Sequence, residues 1–197
     1  MPYQFTFGEN AHPHNPRFQG LLHSFQCEGH NKSGARCKRT TVIGEPLCWQ
    51  HMESEKNLKI KESQIPHAGK GLFAYDNTKG HNAIIFQRGD DVTPFLGQDI
   101  NLATLENRYG EWTAPYAIEL SGRRRGVRYI DPALQRGMGS LINHTTRANA
   151  NVEFVGHNYN MRIRATKPIR NNQELLVNYG EYYQFNEPTY HFTKYVR

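Results

Sequence analysis

Cysteine is scarce in this chain of 197 residues, which contains three cysteines and none beyond position 48. An odd number of cysteines argues against a fold held together by disulfide bonds. Long hydrophobic runs are missing as well, since no apolar stretch approaches the roughly 20 residues that a membrane-spanning helix needs. The opening stretch MPYQFTFGENAHPHNP lacks the basic segment followed by an apolar one that is typical of a secretion signal. We therefore expect an intracellular protein that does not associate with a membrane.

Charge of one sign does not dominate the chain either. The 24 lysines and arginines face 18 acidic residues, which gives a net charge of +6. Residues 1–54 contain five basic and four acidic side chains, so nearly all of the excess lies in the rest of the chain. Such a mild positive charge is typical of proteins that contact nucleic acid or nucleosomes, and it is equally compatible with a merely soluble protein. The apolar fraction of 37% is sufficient for one ordinary domain and a small module.

Short β-prone runs separated by Gly, Asp and Asn fill most of the chain. We predict strands over residues 58–62, 71–76, 83–88, 116–120, 127–131, 151–156, 161–166 and 174–180. A short helix is predicted within INLATLENRYGEW, where apolar residues recur at helical spacing. Two hairpins are predicted, with tips at SGRRRG and at His157-Asn158. Many short strands at close spacing indicate a mostly β fold.

Composition divides the chain into four predicted segments. They are an N-terminal extension, a Cys/His module, a β-rich main domain and an aromatic C-terminal segment, which cover residues 1–22, 23–54, 55–185 and 186–197. The extension is rich in Pro, Asn, His and Gly, which is typical of a poorly ordered terminus.

The Cys/His module contains all three cysteines, in the order Cys27-x9-Cys37-x10-Cys48-x2-His51. Three thiolates and an imidazole are a standard ligand set for structural zinc, and metal binding would supply the folding free energy of so small a module. The alternative is three buried, reduced cysteines without a metal, and His23 or His30 could replace the fourth ligand. Basic residues crowd this module, so it either contacts nucleic acid or presents a solvated basic face; they are Lys32, Arg36, Lys38 and Arg39.

Three separated segments place glycines or polar residues where predicted strands begin or end. They are PHAGKGLFAYD, SLINHTTRANANVEF and MRIRATKPIRNNQELLVNYGEYYQF, at residues 66–76, 140–154 and 161–185. Each alone has an ordinary structural interpretation, namely a glycine turn, a satisfied loop pair and a core tyrosine. In this order and at these separations they resemble the SET domain of protein-lysine methyltransferases. The resemblance is to the compact viral-type SET proteins in particular, through MRI, KPI, NH…N and YGxxY.

The resemblance implies a fold of small curved sheets around a pseudo-knot, preceded here by the small zinc module. The segment with Asn143-His144 and the segment from Glu174 to Tyr179 would cross in that pseudo-knot. Their junction would separate a pocket for S-adenosylmethionine from a narrow channel for a substrate lysine. We therefore expect Asn143 and His144 to face the cofactor rather than water.

The resemblance also implies which residues bind the cofactor. Main-chain groups of the glycine turn would approach it closely, because glycine has no Cβ to block the approach. Lys70 would either meet the cofactor carboxylate or point to solvent. Asn143 would accept from the cofactor amine, His144 would contact the adenine edge through its backbone, and Tyr183 or Phe185 would cover the adenine face. The predicted cofactor-binding residues are Gly69, Lys70, Gly71, Leu72, Asn143, His144 and Tyr183.

Methyl transfer to lysine requires a neutral amine, whereas the pKa of a free lysine is about 10.4. An adjacent sulfonium cation and a narrow apolar channel both disfavour the ammonium form. The motifs require no carboxylate or histidine base, so we expect catalysis by positioning, with the proton lost to water. The predicted catalytic residues are Tyr179, which would orient the amine or polarise the methyl group, and Tyr116 as the second aromatic residue of the channel.

This chain departs from the family pattern in three places. Phe95-Leu96-Gly97 stands where many relatives have Tyr-x-Gly, so a hydroxyl that often assists the lysine is missing. Val177 stands where relatives often have Phe or Tyr, which leaves room for two or three methyl groups. Because no cysteine follows position 48, the zinc cluster that closes the channel in many relatives cannot form. We expect the aromatic segment 186–197 to close it as a lid.

The sequence thus predicts an S-adenosylmethionine-dependent protein-lysine methyltransferase that acts on histone tails. The alternative is an inert SET-like protein that binds chromatin or nucleic acid through its basic patches, which include Arg123, Arg124, Arg125 and Arg128. Either function predicts a nuclear protein, in the host nucleus if the chain is viral.

Overall fold

The protein is described by a computed structural model, which covers residues 3–6, 19–22, 25–41, 46–66, 68–109, 114, 116–120, 127–133, 137–156 and 160–180. The first part of the chain contains β1 (Tyr3–Thr6), β2 (Gln19–Leu22), β3 (Phe25–Gln26), β4 (Thr40–Thr41), α1 (Trp49–Glu55), β5 (Leu58–Glu62) and β6 (Lys70–Ala74). The middle contains β7 (Ile84–Phe86), β8 (Asp91–Pro94), β9 (Gln98–Asn101), α2 (Leu102–Tyr109), β10 (Ile118–Leu120) and β11 (Arg128–Asp131). A 3₁₀-helix (Met138–Leu141) follows, and then β12 (Asn143–His144), β13 (Val152–Val155), β14 (Arg162–Ala165), β15 (Ile169–Arg170) and β16 (Leu176–Val177).

The strands form several small sheets rather than one large one. Two sheets have three strands, in the orders β10-β11-β9 and β13-β14-β8. The remaining strands pair two by two, as β1-β2, β3-β4, β5-β6, β7-β15 and β12-β16. Every pair is antiparallel except β12 and β16, which run parallel with Asn143 opposite Leu176 and His144 opposite Val177. Parallel pairing of two short strands this far apart in sequence brings two distant loops together at one point.

The polarity of the strands explains which faces they bury. In β14 the residues alternate, so that Ile163 and Ala165 are buried while the two arginines, Arg162 and Arg164, pair with the exposed Asp91. This alternation is that of a strand with one solvated face. In contrast, the Leu-Phe-Ala run of β6 is buried on both faces, so β6 is a central strand of the core.

Helix α2 is tied to the neighbouring sheet by a buried carboxylate. The Asn101 side chain accepts from the Thr104 N–H at 2.8 Å and thereby caps the start of the helix. At the other end, Arg108 forms an ion pair of 2.6 Å with Asp131 of β11, and the Tyr109 hydroxyl donates to the same carboxylate oxygen at 2.8 Å. Asp131 is fully buried, so these two donors compensate for the loss of its hydration.

One hydrophobic core extends from the Cys/His module into the main domain. Its buried residues include Met52 of α1, Leu58 of β5 and Leu72 of β6, and it continues to Ile142 and Val177. The boundary is also bridged by polar contacts, since Lys59 of β5 forms an ion pair of 3.1 Å with Glu53 of α1. The module therefore packs on the main domain as part of the same core.

The predicted secondary structure is confirmed in most places. Each predicted strand overlaps an observed one, and the predicted helix is α2. The strands of both predicted hairpins pair, β10 with β11 and β13 with β14, and both hairpin tips lie outside the described residues. The prediction of a strand over 174–180 was too long, because only Leu176–Val177 is a strand and the flanking N–H groups bond elsewhere. The sequence analysis missed β1 to β4, α1, β8, β9, the 3₁₀-helix, β12 and β15, and it described residues 1–22, where β1 and β2 pair, as a poorly ordered terminus. None of the described helices has the length and apolarity needed to span a membrane.

Candidate metal centre and candidate active site

The four predicted metal ligands lie together. The sulfur atoms of Cys27, Cys37 and Cys48 and a ring nitrogen of His51 all lie within 4.8 Å of one another. The His51 Nδ1 atom is 3.3 Å from Cys27 Sγ and 3.4 Å from Cys48 Sγ, and the Cys37 and Cys48 sulfurs are 4.0 Å apart. Four such atoms around one point match the tetrahedral Cys₃His set of structural zinc sites.

The surroundings of this cluster orient its ligands as a metal requires. His51 Nε2 bonds to the His30 carbonyl oxygen at 2.9 Å, which leaves Nδ1 facing the sulfurs. The cluster contains His51 rather than the alternative His30, whose backbone carbonyl accepts from the His51 ring. Backbone N–H groups of Cys48 and Gly29 donate to Cys27 Sγ at 3.1 and 3.4 Å. Burial alone would raise the pKa of the Cys27 thiol, but these donors lower it to about 7, which favours the thiolate.

Gly29 has a steric reason to be glycine at this cluster. A Cβ at this position would overlap with the imidazole ring of His51. The alternative ligand His23 lies outside the described residues. The donor set, its geometry and its supporting hydrogen bonds therefore all fit a zinc ion.

The second cluster lies where β12 and β16 meet. The Tyr179 hydroxyl donates to the Ile142 carbonyl oxygen at 2.7 Å, and the Tyr179 N–H donates to His144 Nδ1 at 3.1 Å. The rings of His144 and Tyr179 lie with centroids 5.2 Å apart. The predicted partners Asn143-His144 and Tyr179 thus lie on adjacent segments, as the resemblance implied.

Burial affects the two titratable groups of this cluster in opposite directions. It lowers the pKa of His144, which therefore favours the neutral ring that its acceptor role towards the Tyr179 N–H requires. Burial, with a smaller effect of Tyr116, raises the pKa of Tyr179 well above its usual range. Tyr179 is thus a neutral phenol at physiological pH and cannot act as a phenolate base.

A pocket of about 370 Å³, partly open to solvent, lies beside Tyr179. Its lining is mostly apolar and includes both predicted catalytic tyrosines; the residues are Phe95, Tyr116, Ala117, Ile118, Gly139, Ser140, Ile142, Phe154 and Tyr179. The rings of Phe95 and Phe154 meet edge to face at 5.4 Å and form one wall. Phe95 is the residue that stands where many relatives have tyrosine, so this wall contains no hydroxyl. Val177 is buried and is not among the pocket residues.

Asn143 is held by an acceptor on each of two other segments. Its Nδ2 atom donates to the Lys70 carbonyl oxygen at 3.0 Å and to Glu174 Oε1 at 3.1 Å. Within the described part of the chain, both side-chain hydrogen bonds of Asn143 use Nδ2. Its carbonyl oxygen Oδ1 accepts no hydrogen bond from the described residues.

The glycine turn contacts Asn143 through its backbone. Gly69 has a φ of 71°, in the left-handed region that favours glycine. Gly71 is constrained by space, because a Cβ there would overlap with Glu174 Oε1. Lys70 forms an ion pair with Glu62 at the surface, so its ammonium contacts protein rather than the site. Leu72 is fully buried in β6 and packs in the core. Tyr183 lies outside the described residues.

Sequence reasoning did not assign a role to Glu174, although it belongs to the quoted motif. Glu174 is 2% exposed, and its carboxylate accepts from Ser63, Gln64 and Asn143. The sequence did contain a signal for this role, because Glu174 directly precedes the apolar run that begins at Leu175. Phe154 was also missed as a pocket residue, because its place depends on how β13 packs.

Comparison with known proteins identifies the family to which this fold belongs. The SET domain family model matches residues 33–180. Histone-lysine N-methyltransferase EZH2 of Chaetomium thermophilum is 26% identical over 133 residues, which are 64% of this chain and 8% of that protein. A crystal structure of the Chaetomium thermophilum polycomb repressive complex 2 superposes with a TM-score of 0.52 at 22% identity, over 77% of this chain and 18% of that chain.

A second structure, ctPRC2 in an autoinhibited conformation bound to S-adenosylmethionine, superposes with a TM-score of 0.50 at 25% identity. It covers 65% of this chain and 16% of that chain, so this chain spans less than a fifth of the length of each of these proteins. The match to the family model, in contrast, extends over well over half of this chain. The chain therefore belongs to the SET domain family of protein-lysine methyltransferases.

Proposed function

We propose that this chain transfers a methyl group from S-adenosylmethionine to the side-chain amine of a lysine in a histone tail. The main support for this proposal is that Asn143, His144 and Tyr179 lie together beside an apolar pocket. The name of the Chaetomium thermophilum relative, a histone-lysine N-methyltransferase, supports a histone substrate. A histone substrate in turn requires a nuclear location, or the host nucleus if the chain is viral.

The cofactor would bind on the side of Asn143 and the glycine turn. The methyl donor supplies an electrophilic methyl group on a sulfonium sulfur, and a related structure contains it. Asn143 Oδ1 would accept from its amine, while His144 and the backbone of Gly69 to Leu72 would border it. Lys70 would contribute its backbone, because its ammonium pairs with Glu62. Tyr183 remains our proposal for the residue that covers the adenine.

The lysine would enter through the pocket that Tyr116 and Tyr179 line. An apolar lining disfavours the charged ammonium, so the pocket promotes the neutral amine that must attack. The Tyr179 hydroxyl lines the pocket and donates to Ile142 O, and a phenol oxygen is able to accept as well as donate a hydrogen bond. Tyr179 would therefore orient the amine, and a pKa well above the usual range keeps its proton in place.

Zinc is the proposed metal of the Cys/His module, with Cys27, Cys37, Cys48 and His51 as ligands. Its role would be structural, since all four positions of the tetrahedron are taken by protein. We further propose the domain division stated above, with a zinc module over 23–54, a SET domain over 55–185 and a lid over 186–197. The N-terminal extension is residues 1–22.

Methyl transfer to histones tests the proposal directly. The full chain is incubated with radiolabelled S-adenosylmethionine and histone octamers, and with a basic non-histone protein as the comparison. We expect label on a histone and, by mass spectrometry, a methylated lysine in its tail. Equal labelling of the non-histone protein would contradict the histone substrate, and no labelling of any protein would contradict the activity.

A second candidate function is binding of chromatin or nucleic acid by an inert domain. It is favoured by exposed aromatic and basic residues of the Cys/His module, where Phe25 and Trp49 are 56% and 55% exposed. The Arg39 guanidinium lies 5.7 Å from the centre of the Trp49 ring, an arrangement on which nucleic-acid bases can stack. Arg128 supports this function less than the sequence indicated, because it pairs with Asp99. The arginines at 123–125 lie outside the described residues.

The two functions differ in what they bind. Inert binding predicts an affinity for DNA that falls steeply with salt, together with no heat of binding for S-adenosylmethionine in calorimetry. Heat of binding for the cofactor would reject the inert domain, whatever the affinity for DNA.

A further inference from the structure

Glu174 is a buried carboxylate in the candidate active site that is stabilised by neutral donors. Within the described part of the chain it forms no ion pair, and it is 2% exposed. Its Oε1 atom accepts from the Ser63 hydroxyl at 2.7 Å and from Asn143 Nδ2 at 3.1 Å. Its Oε2 atom accepts from the Gln64 N–H at 2.7 Å. A buried charge requires such donors, and each of these bonds is strengthened by the charge.

The chemistry of these groups determines how the Asn143 amide is oriented. An ionised carboxylate only accepts hydrogen bonds, and so does the Lys70 carbonyl oxygen on the other side of Asn143. Both neighbours therefore require the NH₂ end of the amide, and neither would tolerate its oxygen. A flipped amide would place two acceptors against Oδ1 and lose both hydrogen bonds.

We infer that Glu174 is a positioning residue that keeps Asn143 Oδ1 directed at the amine of the bound methyl donor. The inference rests on the proposed function, in which Asn143 accepts from that amine. Glu174 itself does not contact the donor in this role and acts through Asn143. Gly71 belongs to the same arrangement, because a Cβ there would overlap with Oε1 and displace the carboxylate.

Replacement of the carboxylate by an amide tests this role with little change of shape. In Glu174→Gln, one end of the side chain becomes a donor. If the new NH₂ group faces Gln64, it meets the Gln64 N–H, which is also a donor. If it faces Asn143, it meets the donor Nδ2. In the second case Asn143 loses one of the two acceptors that fix its amide: an unflipped amide opposes the new donor, and a flipped amide opposes the Lys70 carbonyl oxygen, so Oδ1 is no longer held towards the amine of the ligand.

Two ligands without a sulfonium charge separate positioning from general stability. S-adenosylhomocysteine carries the amino-acid part with its amine, whereas 5′-methylthioadenosine lacks that part. In calorimetry we expect E174Q to weaken binding of S-adenosylhomocysteine by about tenfold or more, as loss of a charge-assisted hydrogen bond implies. Binding of 5′-methylthioadenosine should change by less than about twofold. Equal losses for both ligands, or no loss for either, would overturn the inference.

A second measurement exchanges the amide and the carboxylate between positions 143 and 174. It can be made even if the single variant E174Q does not fold. Asn143→Asp keeps an acceptor for the amine but places a second carboxylate beside that of Glu174. The two carboxylates repel each other, so this variant should bind S-adenosylhomocysteine more weakly. In the double variant N143D/E174Q, the glutamine NH₂ can donate to Asp, and we expect part of the lost affinity to return. A double variant that binds no better than N143D would overturn the inference.

The matched control is Ser63→Ala, which removes a donor to the same oxygen without altering Asn143. Thermal unfolding of this variant should show a loss of stability, while the ratio of the two ligand affinities stays as in the unmodified chain. A changed ratio would contradict our assignment, because Ser63 would then act on the ligand too. Failure of the unmodified chain to bind S-adenosylhomocysteine would instead contradict the proposed function itself, which distinguishes the two failures.

Discussion

Single side chains in the candidate site are fixed mainly by contacts with main-chain groups. Tyr179 binds the carbonyl oxygen of Ile142 through its hydroxyl and the ring of His144 through its N–H. Both contacts join the segment of β12 to the segment of β16. The side chains of Tyr179 and His144 therefore each affect the geometry of both segments. Substitutions here are expected to change activity more than stability.

Tyr179→Phe removes one hydroxyl from the pocket. We expect methyl transfer to fall about a hundredfold, because the amine loses the group that orients it. Stability should fall by about 1 kcal/mol, since one hydrogen bond to Ile142 O is lost. Radiolabelled transfer and thermal unfolding measure the two effects. Tyr129→Phe is the matched control, because Tyr129 lies in β11 and does not line the pocket; equal activity of both variants would contradict the role of Tyr179.

The pH dependence of stability should contain a contribution from His144. Burial lowers the pKa of His144 in the folded state below the value of about 6.5 for an unfolded chain. The unfolded chain therefore binds more protons in this range, and the contribution of His144 is present above pH 6.5 and lost as the pH falls below it. Protonation of Nδ1 would also oppose the Tyr179 N–H.

Unfolding by denaturant at pH 7.5 and 5.5 measures this contribution. His144→Asn is the control, because an amide oxygen can still accept from Tyr179 and does not titrate. We expect the unmodified chain to lose more stability between the two pH values than the variant does. An equal loss in both proteins would reject this assignment.

At the scale of elements, the site depends on how closely β6 approaches the β15–β16 segment. Leu175 N–H donates to the Leu72 carbonyl oxygen at 2.8 Å, and Phe73 bridges to Glu174. Asn151 adds a side-chain link, since it donates to the Glu174 carbonyl oxygen and accepts from the Leu176 N–H. This close approach leaves no space for a side chain at Gly71.

Gly71→Ala should therefore disturb the site, and Gly80→Ala should not. A Cβ at Gly71 meets Glu174 Oε1, whereas a Cβ at Gly80 meets nothing within 4 Å. We expect Gly71→Ala to lower the free energy of unfolding by about 1–3 kcal/mol, as overpacking does in other cores. It should also weaken cofactor binding in calorimetry. Similar behaviour of the two variants would contradict the steric argument.

The secondary structure could be predicted from the sequence for some elements and not for others. The strands β5, β10, β11, β13 and β14 follow from local residue patterns, since alternation and β-branched residues act over a few positions. The short strands β12 and β16 contain two residues each; β12 was not predicted, and β16 was predicted only within a longer strand over 174–180. They exist because two distant segments pair, which local propensity does not encode.

At the scale of the whole molecule, the Cys/His module and the SET domain share a core. Met52 of α1 and Leu58 of β5 belong to the same buried cluster as Leu72 and Ile142. The family model also begins at residue 33, inside the module. Unfolding of the module should therefore also destabilise β5 and β6, which lie between the module and the site.

Removal of the proposed zinc ion should destabilise the SET domain as well as the module. We expect a chelator to lower the midpoint of thermal unfolding by about 10 °C, since a ligand at a thousand times its Kd contributes about 4 kcal/mol. Hydrogen exchange should become faster in β5 and β6 too. His51→Ala should behave like the chelated protein, while His30→Ala, whose ring is not a ligand, should not. Unchanged exchange in β5 and β6 would contradict the shared core.

The sequence by itself determined the three cysteines of the candidate metal centre, the mostly β character and the choice of Asn143, His144 and Tyr179 as residues of one site. Those features depend on residue type and local spacing, which a sequence states directly. Only the tertiary structure decided that Glu174 holds Asn143, that Lys70 pairs with Glu62, and that Phe154 lines the pocket. Contacts such as that of Ser63 with Glu174 join residues 111 positions apart, and their geometry exists only once the segments between them have folded.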